Sequence, residues 1–527
     1  MNTKTLKKQA LIRIGLTLAI LILVNIISVR IFARMDVTSN RIYTLSNASK
    51  QAMRSLDDRV TVRAYFTEDL PSPYNMNRRE LLDELNEYKA YSKGNLQFEF
   101  IDPTGEKGEQ EAQQQGIQPV QVQVVKEDKF EVKRAYMGLV ILYEDKKEVI
   151  PVIQNTSTLE YDITSTIKRL TTKTQKKIGF LSGQGEPPLS ELSHVQQLLG
   201  KQYQVTTVDI SKGKPVPSDI SALIIVAPTQ RFSEPDKYQI DQYIMGGGKV
   251  AFLLNKVDAN LQQRFGRTTD LNIEDLLENY GLRINPDLVR DSRCASVSIV
   301  QQQFGFNIQS QVPFPYLPLV SNFNKDNMMV KDLQGVVLFF ASSVDTSGLA
   351  AKNLHGEIIM RSSKESGRQT GMFMFDPLQR YNREDFGEKE IPLAALVYGQ
   401  FKSFYTGKEV PKDTSAGAVP PSGNTIAMSP PSRIILVGDG DFGRDQYLGN
   451  RDNLTFFANM VDYLVDDAGL ITIRSKDVSM PPLEQVSDGT KKMVKYGNLI
   501  VPPLLVLGYG LFRWRARKAR KKMMSTA

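Results

Sequence analysis

From residue 59 to about 170 the chain alternates between two apolar rhythms. Val60–Phe66 (VTVRAYF), Leu96–Asp102 (LQFEFID) and Val120–Val125 (VQVQVV) carry the two-residue period of strands, and two more strands fit around Arg134–Tyr143 and Glu148–Val152. Asn77–Ser92 and Leu159–Leu170 carry the three-to-four-residue spacing of amphipathic helices, and a short polar helix fits Glu106–Gln115. A βαβαβββα order follows. Ahead of it, Leu45, Ala48, Ala52, Met53 and Leu56 predict a short helix capped near Ser46 that links this module to whatever precedes it.

From Lys176 the rhythm changes to short continuous apolar runs. Lys177–Ser182 (KIGFLS), Ala222–Pro228 (ALIIVAP) and Lys249–Leu254 (KVAFLL), with the more polar strand Val205–Ile210 (VTTVDI), alternate with helices at Leu189–Leu199 and Pro235–Met245. Runs apolar at nearly every position suit strands covered on both faces, and strands alternating with helices imply a parallel sheet. Arg433–Phe442 (RIILVGDGDF), followed by a helix at Asn453–Leu464, reads as a further strand of the same sheet. Residues of about 287–430 are then an insertion, with an apolar strand at Gly335–Ala341, a proline-rich knot at Val312–Pro318 and a mobile loop at about Thr414–Pro431.

Two stretches stand outside both rhythms. Ile14–Val29 has no charge and, as a helix, is about 24 Å long. It reaches bilayer thickness if Arg13 and Arg30 extend to the two interfaces. A cleaved signal peptide is the competing reading, against which stand the length of the run and Arg30 and Arg34 where small residues would be expected. Tyr496–Phe512 is the second candidate span, about 25 Å long as a helix and followed directly by a basic tail that begins with Arg513 and Arg515. Pro502 and Pro503 would kink it, so an interfacial segment or a buried helix remains open.

Charge sharpens this picture. The formal net charge of the 527 residues is +8, with +4 in Lys4, Lys7, Lys8 and Arg13 and +7 in the tail from Arg513 to Lys522, which leaves −3 for everything between. The large middle offers no polyanion-binding surface, so nucleic acid is not an expected partner. By the positive-inside rule both termini face the cytoplasm and residues of about 35–494 lie outside a bacterial inner membrane. The expected domains are a tail (1–13), an anchor (14–33), a juxtamembrane helix (34–58), a first module (59–175), a second module (176–480), a linker (481–495), a second span (496–512) and a basic tail (513–527).

Chemistry-bearing residues are few. One cysteine, Cys294, and two histidines, His194 and His355, exclude an internal disulfide and a Cys/His metal cluster. Gly183-Gln184-Gly185-Glu186, between a strand and a helix, could hold an anion on backbone N–H groups or simply form a tight turn. It lacks a nucleotide-binding fingerprint, and Gly246-Gly247-Gly248-Lys249 lacks the residues and context of a phosphate loop. Asp439 and Asp441, in Gly438-Asp439-Gly440-Asp441-Phe442, stand where open α/β sheets bind ligands. They suit loop and helix capping, or a hard cation given further oxygen ligands. No nucleophile–base pair, resident metal or cofactor is expected.

Two resemblances add to this reading. The strand order of the first module, with Gly116-Ile117-Gln118-Pro119 just before a strand, resembles the thioredoxin fold without its Cys-x-x-Cys pair. Over nearly the whole chain, Phe32-Ala33-Arg34-Met35-Asp36-Val37-Thr38, Tyr43-Thr44-Leu45-Ser46, Ala64-Tyr65-Phe66-Thr67, Phe100-Ile101-Asp102-Pro103, Ser182 to Glu186, Gly246 to Lys249, Gly438 to Phe442, Asn459 to Leu464 and Ile473-Arg474-Ser475-Lys476 resemble the gliding-motility-associated ABC transporter auxiliary proteins, the GldG-like family. That resemblance implies a non-enzymatic extracytoplasmic subunit beside a separate permease and ATP-binding subunit. It implies a second module similar to the flavodoxin-like, glutamine-amidotransferase-like fold without its Cys/His pair. Gln184 stands where the family pattern has His, which removes any role of that imidazole. The alternatives are a stand-alone envelope scaffold and a metal-dependent hydrolase using Asp439 and Asp441.

Overall fold

The computed structural model describes residues 15–17 and 44–524, apart from 69, 71–73, 127–128, 154–155, 157, 173, 304–305, 332, 351, 353, 413–418, 420–423, 449, 466–470, 472 and 474–487. The anchor expected at 14–33, with Arg13 and Arg30, lies outside these residues except for a helical 15–17. The described chain is mixed α/β with several sheets and forms two compact units, residues 1–478 and 479–527.

The first sheet is built from β1 (Val60–Phe66), β2 (Leu96–Ile101), β3 (Pro119–Lys126), β4 (Lys129–Tyr143) and β5 (Lys146–Ile150). β1 runs parallel to β2 and antiparallel to β4, which pairs antiparallel with both β3 and β5. Helices Tyr74–Tyr91 and Glu106–Gln115 occupy the two crossovers, the former starting three residues earlier than its apolar spacing indicates. Val60, Val62, Ala64 and Phe66 of β1 point into one core with Leu81, Leu85 and Leu159, whereas Tyr65 joins Ala112, Ile117 and Tyr136 on the other face. Period-2 alternation thus feeds two cores from one strand.

The expected linker helix proves part of this core. It spans Asn47–Arg54, capped by the Ser46 hydroxyl, which accepts from the Ser49 amide. Leu45, Met53 and Leu56 are buried with the β1 residues. Glu160 fastens it further, accepting from the Ser46 amide at 2.7 Å and the Ser49 hydroxyl at 2.6 Å.

The main sheet has eight strands. β6 (Lys177–Ser182), β7 (Gln204–Asp209), β8 (Ile220–Val226), β9 (Val250–Leu253) and strand Met428–Val437 run parallel, in the spatial order β7-β6-β8-β9-Met428–Val437. Strands Pro392–Lys402, His355–Arg361 and Asn322–Phe323 extend it antiparallel. The segment 287–430, expected as an insertion, therefore contributes three strands to the sheet it interrupts. Ile224, Val226, Ile435 and Val437 pack on one face with helices Ser193–Gly200 and Arg451–Leu464. Leu223, Ile225, Ile434 and Leu436 pack on the other with helix Glu234–Met245. Coverage on both faces is what continuous apolar runs require.

Three expectations are corrected within that segment. The proline-rich stretch Val312–Pro318 is not a knot but part of a long strand, Phe306–Val320, paired with Cys294–Gln303. Within Val312–Pro318 the pairing holds at Val312, Pro313 and Pro318 and is interrupted between them, where the register shifts opposite Cys294 and Ser296. The apolar run Gly335–Ala341 pairs as a strand only at Val336–Val337. Beyond it Phe339 donates its amide to the Asp439 carboxylate and Phe340 turns to a positive φ of 51°. The last four residues of the loop expected at 414–431 belong to a strand that begins at Met428, five residues before the apolar run. His355 begins strand His355–Arg361, stacked on Tyr398 at 5.5 Å.

The second unit holds one long helix, Asp488–Met524, running through Pro502 and Pro503 and starting inside the expected linker. Its stretch Met493–Arg515, 23 residues with none of the window buried, is long and apolar enough to cross a membrane. Both Arg513 and Arg515 lie at its end.

Candidate functional site

β6 connects forward to β7 on one side and has β8 on the other, so the sheet reverses its winding between β6 and β8. In open α/β sheets this is where the carboxyl ends of two strands splay and leave a crevice. The loops after β6 and β8 line it. The Gln184 carbonyl accepts from the Thr229 and Gln230 amides at 3.0 and 2.8 Å, and the Thr229 hydroxyl donates to the Gly185 carbonyl at 3.0 Å. Gly185, at φ +77°, has no room for a side chain, since a Cβ would lie 2.2 Å from Thr229 Oγ1. Gly183, at φ +116°, faces Asp209 at the end of β7.

Gln184 is 3% exposed. Its amide donates to Glu186 Oε2 at 2.8 Å and its side-chain Nε2 to Asp236 Oδ2 at 3.3 Å. Asp236 is held in turn by the Ser233 hydroxyl at 2.6 Å, as the third residue of a capping box that starts helix Glu234–Met245. Burial pushes the Glu186 carboxyl up; hydrogen bonds from the loop amides oppose this, and the charges of Asp236 and Asp209 add to it. Gln184 Oε1, Glu186 Oε1 and Asp236 Oδ1 are buried without a hydrogen-bond partner. Acceptors of the protein itself compete for the anion cradle considered for this loop. Its amide serves Glu186, and the start of helix Ser193–Gly200 is taken by Asp445, whose carboxylate accepts from the Ser193 and His194 amides at 2.9 and 3.2 Å.

Asp439 and Asp441 lie at the carboxyl end of strand Met428–Val437, on the same edge of the sheet. Asp439 is fully buried, its Oδ2 accepting from the Phe339 amide at 2.7 Å and its Oδ1 from the Asp441 amide at 2.6 Å. Burial, and next the Asp441 charge, push its carboxyl well above the ordinary range. Asp441 accepts from Asn255 Nδ2 at 2.7 Å and from Arg444 at 2.8 Å, and Arg444 also pairs with Glu191 of the β6 loop. Gly438 and Gly440 are required by close approach. A Cβ at Gly438 would lie 1.9 Å from the Ser342 carbonyl oxygen, and one at Gly440 2.7 Å from Ala227 Cα.

The structure therefore brings both sequence candidates to one edge, tied through residues 227–230 and Arg444, but gives them different work. The oxygens of Asp439 and Asp441 serve the protein, whereas the Gln184 loop keeps acceptors to spare. Among the described residues no cluster of three or more His, Cys, Asp or Glu could hold a metal ion. Cys294 is half-buried, and burial raises its thiol, which disfavours the nucleophilic thiolate. His194 hydrogen-bonds Asp445 at 2.8 Å on the surface. Sequence reasoning missed Asp236, Asn255 and Arg444. Only Asp236 carried a local signal, the Ser233-x-x-Asp236 spacing of a helix start.

Residues 175–467 match the family described as an ABC-type uncharacterized transport system, and residues 39–142 match a domain of unknown function, DUF7088. An uncharacterized protein of Borreliella burgdorferi is 25% identical over 528 residues, covering 96% of this chain and 97% of that protein. Among solved structures the mmIFT52 N-terminal domain aligns with a TM-score of 0.34 and 14% identity, over 55% of this chain and 96% of that one. That likeness is too loose to bear on the fold.

Proposed function

We propose, from the premise that this chain belongs to the ABC-type uncharacterized transport system auxiliary family, that it is a non-enzymatic subunit held beside a permease and a separate ATP-binding subunit. In this reading it is a GldG-like protein of a bacterial inner membrane. An anchor at 14–33 and the helix Met493–Arg515 dock the permease, and both termini are cytoplasmic. The bulk of the chain projects outward to bind a transported substrate or an envelope component. The parallel β1–β2 pair with antiparallel β4 and β5 supports a thioredoxin-like first module that does no redox chemistry. The five parallel strands between helical layers support a flavodoxin-like, amidotransferase-like second module.

One observation carries the binding role. At the crevice between β6 and β8 the protein buries acceptor oxygens that its own donors leave unmatched, while Asp439 and Asp441, the acidic pair best placed for catalysis, are occupied by backbone amides, Asn255 and Arg444. Such an edge suits recognition better than turnover. Genetic epistasis tests the assignment. Deleting this chain and inactivating the ATP-binding subunit should give the same phenotype, with no added defect in the double mutant. A chain that works fully without any ATPase partner is a stand-alone scaffold, and the assignment fails.

A further inference from the structure

The three orphaned oxygens at the crevice are all acceptors, on residues linked through hydrogen bonds to Gln184. Gln184 and Asp236 are 3% and 6% exposed and joined by the Gln184 Nε2 to Asp236 Oδ2 bond, while Glu186 reaches back to the Gln184 amide. Each buried acceptor left unmade costs about 1–3 kcal/mol, a penalty that folded proteins rarely accept three times in one place without use. The nearby cations are committed elsewhere, Lys214 to Asp209 at 2.5 Å and Arg231 to Asp270.

A ligand for this crevice must therefore bring donors, and positive charge to offset two carboxyl groups. Anions are disfavoured by Glu186, Asp236 and Asp209. A hard divalent cation wants six or more oxygens, and the crevice supplies two carboxyl groups and one amide carbonyl. An ammonium group has three N–H donors on one charged nitrogen, as many as the orphaned oxygens. We propose that Gln184 Oε1, Glu186 Oε1 and Asp236 Oδ1 form a binding site for the primary ammonium group of a ligand. This rests on the ligand-binding role proposed above and names its chemistry.

The test is a calorimetric titration of the full chain in detergent with n-butylammonium, alongside tetramethylammonium, calcium chloride and sodium phosphate. n-Butylammonium should bind saturably. Tetramethylammonium, with the same charge and no N–H, should not. Glu186→Gln, which keeps size and removes charge, should weaken binding at least tenfold with an unchanged melting temperature, and Gln184→Met should act in the same direction. Equal binding of tetramethylammonium, preference for calcium or phosphate, or absence of n-butylammonium binding to a folded chain would each overturn the site. An amine affinity indifferent to both substitutions would do the same. Partner co-purification by Glu186→Gln separates the two levels. If the complex forms and the wild-type chain binds no amine, the ammonium site fails and the auxiliary role stands.

Discussion

Replacing Asp439 tests whether the acidic pair at the end of strand Met428–Val437 holds the protein together or acts on a ligand. Asp439 is fully buried and satisfies two backbone donors, the Phe339 amide at 2.7 Å and the Asp441 amide at 2.6 Å. Asp439→Leu strands both, and at about 1–3 kcal/mol for each buried donor the loss is roughly 2–6 kcal/mol. Asp439→Asn keeps one acceptor and turns an NH2 toward the other donor, so the loss is about 1–3 kcal/mol. For a module of this size each kcal/mol lowers the melting temperature by about 2–4 °C. The Asn variant should then melt about 2–12 °C lower and the Leu variant lower still.

The pH dependence has a defined sign. Burial raises the Asp439 carboxyl in the folded protein, so between about pH 3.9 and its folded value the unfolded chain has lost a proton that the native state retains. Stability from this group falls as pH rises through that window, and Asp439→Asn should flatten the slope. Differential scanning fluorimetry across pH on purified full-length variants reads both effects. Wild-type melting behaviour in Asp439→Asn, together with complete loss of function in cells, would refute the structural reading and reveal a ligand site at the strand end.

Gly185→Ala should destabilise the crevice loops, since its Cβ would meet Thr229 Oγ1 at 2.2 Å and φ is +77°. Adding Thr229→Ala should recover part of the lost melting temperature and leave the backbone strain of about 1 kcal/mol. Asp445→Ala removes the carboxylate at the start of helix Ser193–Gly200 and should cost about 0.5–2 kcal/mol by chemical denaturation. Burial would raise the Asp445 carboxyl, but hydrogen bonds from Ser193 and His194 outweigh it and hold it at about 2. Its contribution is therefore present above about pH 3.9 and lost as pH falls toward 2, and Asp445→Asn should lack that acid limb. A carboxyl-terminal tag should resist protease added to spheroplasts while the middle of the chain is cleaved. A tag cut from outside would reverse the orientation proposed for helix Asp488–Met524.

The parts of the fold legible in the sequence are those where one local pattern has one structural meaning. Ile220–Val226 is apolar at nearly every position because helices cover both faces, and β1 alternates because one face packs into the core while Thr61 and Arg63 on the other stay partly exposed. Legibility failed where distant partners decide. Gly335–Ala341 looks like a strand throughout, yet its backbone amides are divided between the Tyr316 and Pro318 carbonyls and the side chains of Asp439, Asp452 and Asn453, 100 or more residues away. Leu45, Met53 and Leu56 read as a linker because the residues they pack against come from 60–170.

The site followed the same rule. The Gln184 loop and the Asp439–Asp441 pair are visible as polar turns after apolar strands. What they do depends on Asp236 at 52 residues' separation and Asn255 at 186, and no local spacing encodes those contacts. The Asp439–Asp441 turn read as loop and helix capping or as ligands of a hard cation, and the hydrogen-bond partners Phe339, Asn255 and Arg444 could not be named from the sequence.

The most direct test of the auxiliary role is affinity purification of the full chain from membranes under several mild detergents, with quantitative mass spectrometry of what accompanies it. A permease and an ATP-binding subunit recovered in constant ratio to the chain are the predicted result, with recovery lost when the chain is truncated before Asp488. A chain that emerges alone from every detergent, although folded by its melting curve, would contradict the account.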